Sequence, residues 1–337
     1  MRKNRMWNVD KLKENLVAPV IGSPMFIACG IDLVVAQCCA GIIGTFPALN
    51  ARQPGELELW LTEIARRIAE FEARTGRRAA PFGVNLIVHD SNKRLDEDLE
   101  TIARHRVPLV ITSLSAPGKV ADRVHAYGGL VFHDVIAARH ARRAVGEDAD
   151  GLILVAAGAG GHSGRLSPFA LVDEVRQFFD GTLILAGAIT SGRAIVAAEA
   201  LGCDFAYIGT LFLASEEAQV VQRHKELVVE SAAANIIYSP MFSGTYGNYL
   251  EGSIIAAGID PLEATRAEVR RMDFGDGHPK PKAWRDIYGA GHGVGNIHAI
   301  EPAADQIARL ARERNEALAR LASASVPVRP SAMAAAG

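Results

Sequence analysis

Eight short, apolar runs rich in β-branched residues recur along this chain, at residues 17–21, 41–45, 82–86, 108–113, 130–134, 152–157, 183–188 and 205–209. Between them lie stretches with helical apolar spacing, among them 57–72, 95–105, 137–145, 169–179 and 194–201. Near-continuous apolar strands joined by helical crossovers read as a parallel sheet covered on its outer face. Eight such units favour closure into an α/β fold of the (β/α)8 TIM-barrel type. The competing fold, an open doubly wound sheet, usually places G-x-G-x-x-G directly after its first strand. Here the first run leads into Ser23-Pro24-Met25-Phe26 instead. The nearest glycine-rich stretch follows the sixth run and reads Gly158-Ala159-Gly160-Gly161-His162-Ser163-Gly164, with Ser163 where the third fingerprint glycine would fall. The sequence therefore favours the barrel.

After the eighth run the alternation stops. Residues 215–288 read as helices and loops around a polar, glycine-rich stretch at 239–252, and are expected to form an inserted, mainly helical subdomain that acts as a substrate lid. Apolar spacing resumes over 299–321, with Ile300, Ala304, Ile307, Leu310 and Leu318 on one face, as a helix that closes the barrel. The expected division is a barrel from 1–214 and 289–322, a lid from 215–288, and a disordered tail at 323–337, rich in Ala, Ser and Pro.

Composition narrows the classes of partner. Lys and Arg number 36 against 38 Asp and Glu, so no broad attraction to nucleic acid or to an anionic membrane follows. The apolar runs are interrupted well before the ~20 residues needed to span a bilayer, and the charged N-terminus lacks the apolar core of a signal peptide. Cys29, Cys38, Cys39 and Cys203 form no CxxC pair and no zinc spacing, which suits reduced thiols. A soluble, cytoplasmic protein with a small-molecule substrate is expected, with a homodimer as the working assembly. There is no HExxH, Walker or G-x-S-x-G sequence, so no metal site is expected and a serine-hydrolase reading is poor.

A barrel places its working groups at the C-terminal ends of its strands, with phosphate often held near the seventh and eighth. Ala186-Gly187-Ala188-Ile189-Thr190-Ser191-Gly192 follows the seventh run, and Gly209-Thr210 the eighth. Glycine permits close backbone approach to an oxyanion, Ser191 or Thr190 can cap the next helix, and Thr210 offers a hydroxyl. The structural alternative is that both are ordinary tight turns. His162 is more telling, because Gly158, Gly160, Gly161 and Gly164 leave its imidazole unshielded at a strand end. It is taken as a residue that faces a ligand, against the alternative of a histidine that only bonds the backbone. Asn85, Ser113 and the pair His133-Asp134 end strands three, four and five at the same rim, while His89 and Asp90 read as ordinary loop residues.

At these residues the chain resembles the nitronate monooxygenase (2-nitropropane dioxygenase-like) family, and the resemblance runs from Ala18 to about Arg314. Its most specific part is Gly158 to Gly164. Ala18-Pro19-Val20-Ile21-Gly22-Ser23-Pro24-Met25, Gly83-Val84-Asn85-Leu86, Ala186-Gly187-Ala188-Ile189 and Gly209-Thr210-Leu211-Phe212-Leu213 with Glu216 support it. So do Phe242-Ser243-Gly244-Thr245, Asn248-Tyr249-Leu250 and the segment from Trp284 to Gly295. The resemblance implies FMN as cofactor, with Pro24, Met25 and Phe26 along the flavin ring and Asn85, His133, Ala159, Gly160, Gly161 and Ala186 around it. Gly187, Gly209 and Thr210 would hold the phosphate. His162 would face the substrate, with Ser113, Ser243, Tyr249, Gly289 and His292 as further substrate contacts.

By the same resemblance the chain would oxidise alkyl nitronates, and nitroalkanes in some members, with dioxygen to a carbonyl compound and nitrite. Two departures stand out. Many relatives carry Ser-Ala-Gly-Gln where this chain has Gly289-Ala290-Gly291-His292, and many place Lys at the rim after strand five where this chain has His133. Two rival functions remain: an NAD(P)H-dependent quinone or enoyl-thioester reductase on the same FMN barrel, and a flavin-free binding or scaffold barrel.

Overall fold

The structure, a computed structural model, describes residues 6–268 and 283–323. In chain order its strands are β1 (Val20–Gly22), β2 (Gly44–Pro47), β3 (Phe82–Val88), β4 (Leu109–Leu114), β5 (Leu130–Val135), β6 (Gly151–Val155), β7 (Gly161–His162), β8 (Thr182–Ala186), β9 (Phe205–Ile208), β10 (Ile236–Ser239) and β11 (Gly247–Leu250). Eight of them form one parallel sheet in the order β1-β9-β8-β6-β5-β4-β3-β2. An Ile21–Ile43 bridge joins its two edges, with the Gly22 N–H donating to the Ile43 carbonyl at 2.8 Å. The sheet is a closed barrel of eight parallel strands, as the alternation predicts.

Strand period divides each strand between two cores. Ile21, Ile43, Leu109, Ile111, Leu130, Phe132, Ile153, Ile184, Phe205 and Tyr207 point inward and fill the lumen. Val84, Val110, Val131, Leu152, Leu154, Leu183, Leu185 and Ala206 point outward, under the helices. Below, the short helix Val9–Lys13 stops the N-terminal mouth by inserting Leu12, with Trp7, Val9 and Leu16 packed around it. The helix Ala303–Ser323 packs against Gly192–Ala200 and Ile31–Ala40, the closing role expected of it, but through Ala303, Gln306, Ile307, Leu310 and Ala317: Ile300 precedes the helix, and Ala304 and Leu318 of the expected face are exposed. Gly192 permits the close approach: a Cβ there would lie 2.1 Å from the Arg314 nitrogen.

Where strand bounds differ from the apolar runs, backbone geometry explains it. The second run was expected from residue 41, but Gly41 (φ 94°) is the left-handed cap of the helix Ile31–Ala40, so the strand begins at Gly44. The inserted segment departs further from expectation. Four short helical stretches lie between residues 222 and 266, but its centre is an antiparallel sheet in the order β10-β11-β7. It is thus not simply helical: the polar stretch at 239–252 is mostly a β-hairpin. The expected disordered tail falls, from residue 324 on, outside the described residues.

His133 corrects the sequence reading. It shares the outward face of Val131 and Val135, where Nδ1 meets the Thr112 hydroxyl at 2.8 Å and the helix Ala138–Gly146 covers it with His140 and Arg143. A side chain one residue out of phase with Phe132 cannot reach the lumen. Burial lowers its pKa to about 4, as it does that of His224. Between the ordinary value of 6.5 and about 4, the unfolded chain takes up protons that both folded histidines refuse, so stability falls as pH falls through that window. Urea midpoints should drop from about pH 7 to about pH 4.5, and His133→Leu should shrink that drop. An identical drop in the variant would show that His133 is not buried neutral.

Candidate active site

The lumen is sealed below and half-open above. Ser113, Asp134, Val155, Gly187 and Gly209, at or just past the C-terminal ends of their strands, are partly exposed, whereas the lumen residues one layer down are buried. The mouth is where a barrel carries its chemistry.

One wall is polar. Asn85 Nδ2 donates to the Ile111 carbonyl (3.2 Å) and to Ser113 Oγ (2.8 Å), and Ser113 donates onward to Asp134 Oδ2 at 2.5 Å. Period 2 aims all three inward, as Leu109, Ile111 and Phe132 on the same faces show. Asp134 Oδ1 and the Tyr207 hydroxyl are buried with no hydrogen-bond partner. Burial pushes the Asp134 carboxyl up to about 6, the bond from Ser113 opposing it, and raises the Tyr207 phenol well above its ordinary value. Buried polar atoms without partners cost about 1–3 kcal/mol each, so this wall is built for a polar guest.

The loop after β1 forms a second side. Asn50 clamps it: Oδ1 accepts from the Ile27 N–H (3.0 Å), and Nδ2 donates to the Met25 (3.1 Å) and Cys29 (2.8 Å) carbonyls. Pro24 and Met25 are half-buried, Phe26 is exposed, and a Cβ on Gly209 would lie 3.3 Å from the Met25 sulfur. Gly187, at φ 140°, turns the chain beyond β8, where a Cβ would press on the Ala157 carbonyl at 2.8 Å. Ala186, below it, is buried in the lumen.

Across the mouth lies the Gly158–Gly161 loop, clasped by residues 290–292. The Gly158 carbonyl accepts from the His292 N–H (3.0 Å), and Thr210 Oγ1 accepts from the Gly291 N–H (2.9 Å). A Cβ on Gly291 would sit 2.4 Å from the Gly158 oxygen, and one on Gly160 would sit 2.9 Å from the Gly291 nitrogen. Asn248 fastens the same loop from β11, donating to the Ala159 carbonyl at 2.6 Å. Its neighbour Ala159 is buried against the lumen, and His292 itself is exposed.

His162 leaves this loop on β7, opposite Gly247 of β11. Its Nε2 meets Ser243 Oγ at 2.8 Å, and Ser243 in turn lies 3.1 Å from the Tyr249 hydroxyl and donates to the Thr245 carbonyl at 3.0 Å. The Trp284 ring stands edge-on to the imidazole with centroids 5.5 Å apart, and tilts against Tyr249 at 5.3 Å. Burial lowers the His162 pKa and raises that of Tyr249 to about 12, so near neutrality the first is uncharged and the second keeps its proton.

The structure thus brings His162, Ser243 and Tyr249 into contact, joins Asn85 to Ser113, and links Thr210 to Gly160 through Gly291. His133, among the residues singled out, faces away from the mouth. Asn50 and Tyr207 carry no signal in the sequence, Trp284 enters it only as the start of the C-terminal segment, and Asp134 only as the neighbour of His133 at the end of strand five. For Asp134 a signal existed, since counting by two from Leu130 and Phe132 selects it over His133. Trp284 also bears on Gly289: a Cβ at 289 would fall 2.4 Å from the Trp284 ring, so a side chain there requires the indole to shift.

Known proteins similar to this chain fall largely in one family and on one fold. The family model described as nitronate monooxygenase matches residues 49–313. A nitronate monooxygenase of Neurospora crassa is 24% identical over 90% of this chain and 90% of its own length. A Mycobacterium tuberculosis protein named (3aS,4S,5R,7aS)-5-hydroxy-7a-methyl-1-oxo-octahydro-1H-indene-4-carboxyl-CoA dehydrogenase is 26% identical, over 76% of this chain and 66% of that protein. Among solved structures, FabK from Thermotoga maritima superposes with a TM-score of 0.72 at 26% identity, covering 94% of this chain and 98% of that one.

The clasp makes a direct prediction. Gly291→Ala forces a methyl onto backbone atoms that cannot rotate away and should cost about 1–3 kcal/mol. Gly146→Ala, with nothing within 4 Å of the added carbon, should be near neutral. Equal urea midpoints for the two variants would show that the clasp is not tight.

Proposed function

The chain belongs to the nitronate monooxygenase family, and on that basis we propose that it is an FMN-dependent enzyme that oxidises alkyl nitronates, and neutral nitroalkanes, with dioxygen. The observation that carries the reading is a half-buried, uncharged imidazole held by Ser243 at the mouth of a barrel whose opposite wall carries unsatisfied polar groups. Residues 236–250 would act as the lid, since β11 pairs with β7 at the His162 end of the mouth.

The residues present fit FMN. Gly187 and Gly209 are bare backbone at the ends of β8 and β9, and Thr210 keeps its own hydroxyl proton while accepting from Gly291. A phosphate would find amide and hydroxyl donors there. Asn85 spends both amide protons on protein acceptors, which leaves its oxygen for a ring N–H. Asp134 Oδ1 and the Tyr207 hydroxyl would gain partners from a polar ring. Pro24 and Met25 would lie along its flat side. When bound, FMN supplies the electron acceptor and the site of contact with dioxygen.

His162 does the protein's share of proton chemistry. Toward a neutral nitroalkane, the uncharged imidazole removes the α-proton, and the carbon's electron pair delocalises into the nitro group. Toward a nitronate, which has no such proton to lose, it orients the anion by hydrogen bonding. Trp284 walls one edge of the base with an apolar ring.

The similarity to the carboxyl-CoA dehydrogenase favours one second reading, an acyl-thioester oxidoreductase using the same base and flavin. Anaerobic mixing separates the two: rapid bleaching of the flavin by a nitronate supports the first, and bleaching by NADH or NADPH, with none by a nitronate, supports the second. A visible spectrum without flavin bands would leave only a binding or scaffold role.

Two outcomes are expected. Chromophore released by heat should be FMN, and Gly209→Asp, which sets a carboxylate in the phosphate cradle, should lose it. Recovery of FAD, or full occupancy in the variant, would refute the cradle. His162→Ala should slow turnover of a neutral nitroalkane by roughly 10²- to 10⁴-fold, with a smaller effect on the nitronate at full FMN occupancy. Near wild-type rates on both would make His162 a structural residue.

A further inference from the structure

Ser243 has one proton and two lone pairs, and three groups within hydrogen-bond distance: the Thr245 carbonyl at 3.0 Å, the Tyr249 hydroxyl at 3.1 Å and His162 Nε2 at 2.8 Å. The carbonyl can only accept. It therefore takes the serine proton. The Tyr249 side chain is fully buried, and its hydroxyl has Ser243 as its sole hydrogen-bond partner among the described residues. Leaving a buried hydroxyl proton unpaired costs about 1–3 kcal/mol, so the phenol donates to Ser243. One serine lone pair remains, facing Nε2, and it bonds only if that nitrogen carries a proton. The opposite arrangement, with the serine proton on Nε2, loses the bond to Thr245 and makes two bonds instead of three.

We propose that Ser243 and Tyr249 are positioning residues that lock His162 in the Nε2–H tautomer, so that Nδ1 is the basic atom of the site. Nδ1 makes no hydrogen bond to any described residue, and the ring is half-exposed. The Trp284 ring, edge-on to the imidazole, limits how far it can turn. In the free protein Nδ1 therefore carries a lone pair and no proton. It can take a proton from a carbon acid and cannot give one: the substrate's C–H bond breaks, its electron pair stays on the substrate, and the proton bonds to Nδ1. The resulting imidazolium keeps Nε2–H on Ser243, where a hydrogen bond from a charged donor is stronger than one from a neutral donor. Tyr249, raised to about 12, stays protonated throughout and keeps donating. The lock rests on hydrogen-bond counting alone, while the carbon-acid step rests on the proposed function.

The test keeps these apart. Holoprotein labelled with ¹⁵N in its histidine rings is examined by long-range ¹H–¹⁵N correlation near neutral pH without substrate, the His162 signals being identified by their loss in His162→Gln. The lock requires Nδ1 to resonate as an unprotonated nitrogen and Nε2 as a protonated one. The reverse pattern, or an average of the two, overturns it whatever the enzyme turns over. Ser243→Ala should replace the single pattern by an average and lower the ratio of nitroalkane to nitronate kcat/KM about tenfold or more, since a general-base histidine left in the wrong tautomer loses its proton acceptor. Ser243→Thr, which keeps the hydroxyl, should restore both. An unchanged pattern in Ser243→Ala overturns the lock. A correct pattern in a protein that turns over neither compound leaves the lock standing and refutes the function.

Discussion

The mouth of this barrel depends on backbone meeting backbone. Residues 158–161 and 289–291 approach so closely that side chains are excluded at Gly160 and Gly291, and two hydrogen bonds, His292 N–H to Gly158 and Gly291 N–H to Thr210, hold the loops in register. That contact fixes where β7 emerges, and β7 fixes His162 against the hairpin of β10 and β11. Rigid placement of a catalytic group needs supporting residues that are themselves held. Here the support comes from glycines, whose lack of a side chain brings two loops from distant parts of the sequence into van der Waals contact.

The same economy explains the burial pattern. The lumen is filled by large apolar side chains up to the layer of Ile111, Phe132 and Ile153, and above it the sequence changes to Asn85, Ser113, Asp134 and glycine. An apolar layer insulates the mouth from the N-terminal plug at Leu12. The polar layer above it carries unsatisfied groups that a packed core would not tolerate. The cost of those groups is spread over a barrel whose two cores supply ample apolar burial, a common bargain at functional sites.

Much of this was legible in the residues. Period, strand count and the missing dinucleotide fingerprint lead to the barrel, and the glycines around His162 draw attention to it at the end of a strand. What escaped had physical reasons. β7 is two residues long, too short for any periodicity, and β10 and β11 are four residues each, so the hairpin reads as a polar loop. Resemblance sets His133 beside the flavin, whereas strict alternation from Leu130 and Phe132 puts Asp134, not His133, on the lumen face. Trp284, at φ 70°, reaches His162 through contacts that no local pattern encodes.

Trp284 and Gly289 also bear on how such a chain can change over time. The indole fills the space that a side chain at 289 would need, and it is wedged between His162 and Tyr249, so it cannot swing aside without disturbing both. A serine at 289 displaces the indole, and a smaller residue at 284 alone opens a void beside His162. Neither single step is neutral, so the two positions are coupled in the sense of a double-mutant cycle. Exchange between this form of the site and one with a hydroxyl at 289 is therefore easiest when both residues change together.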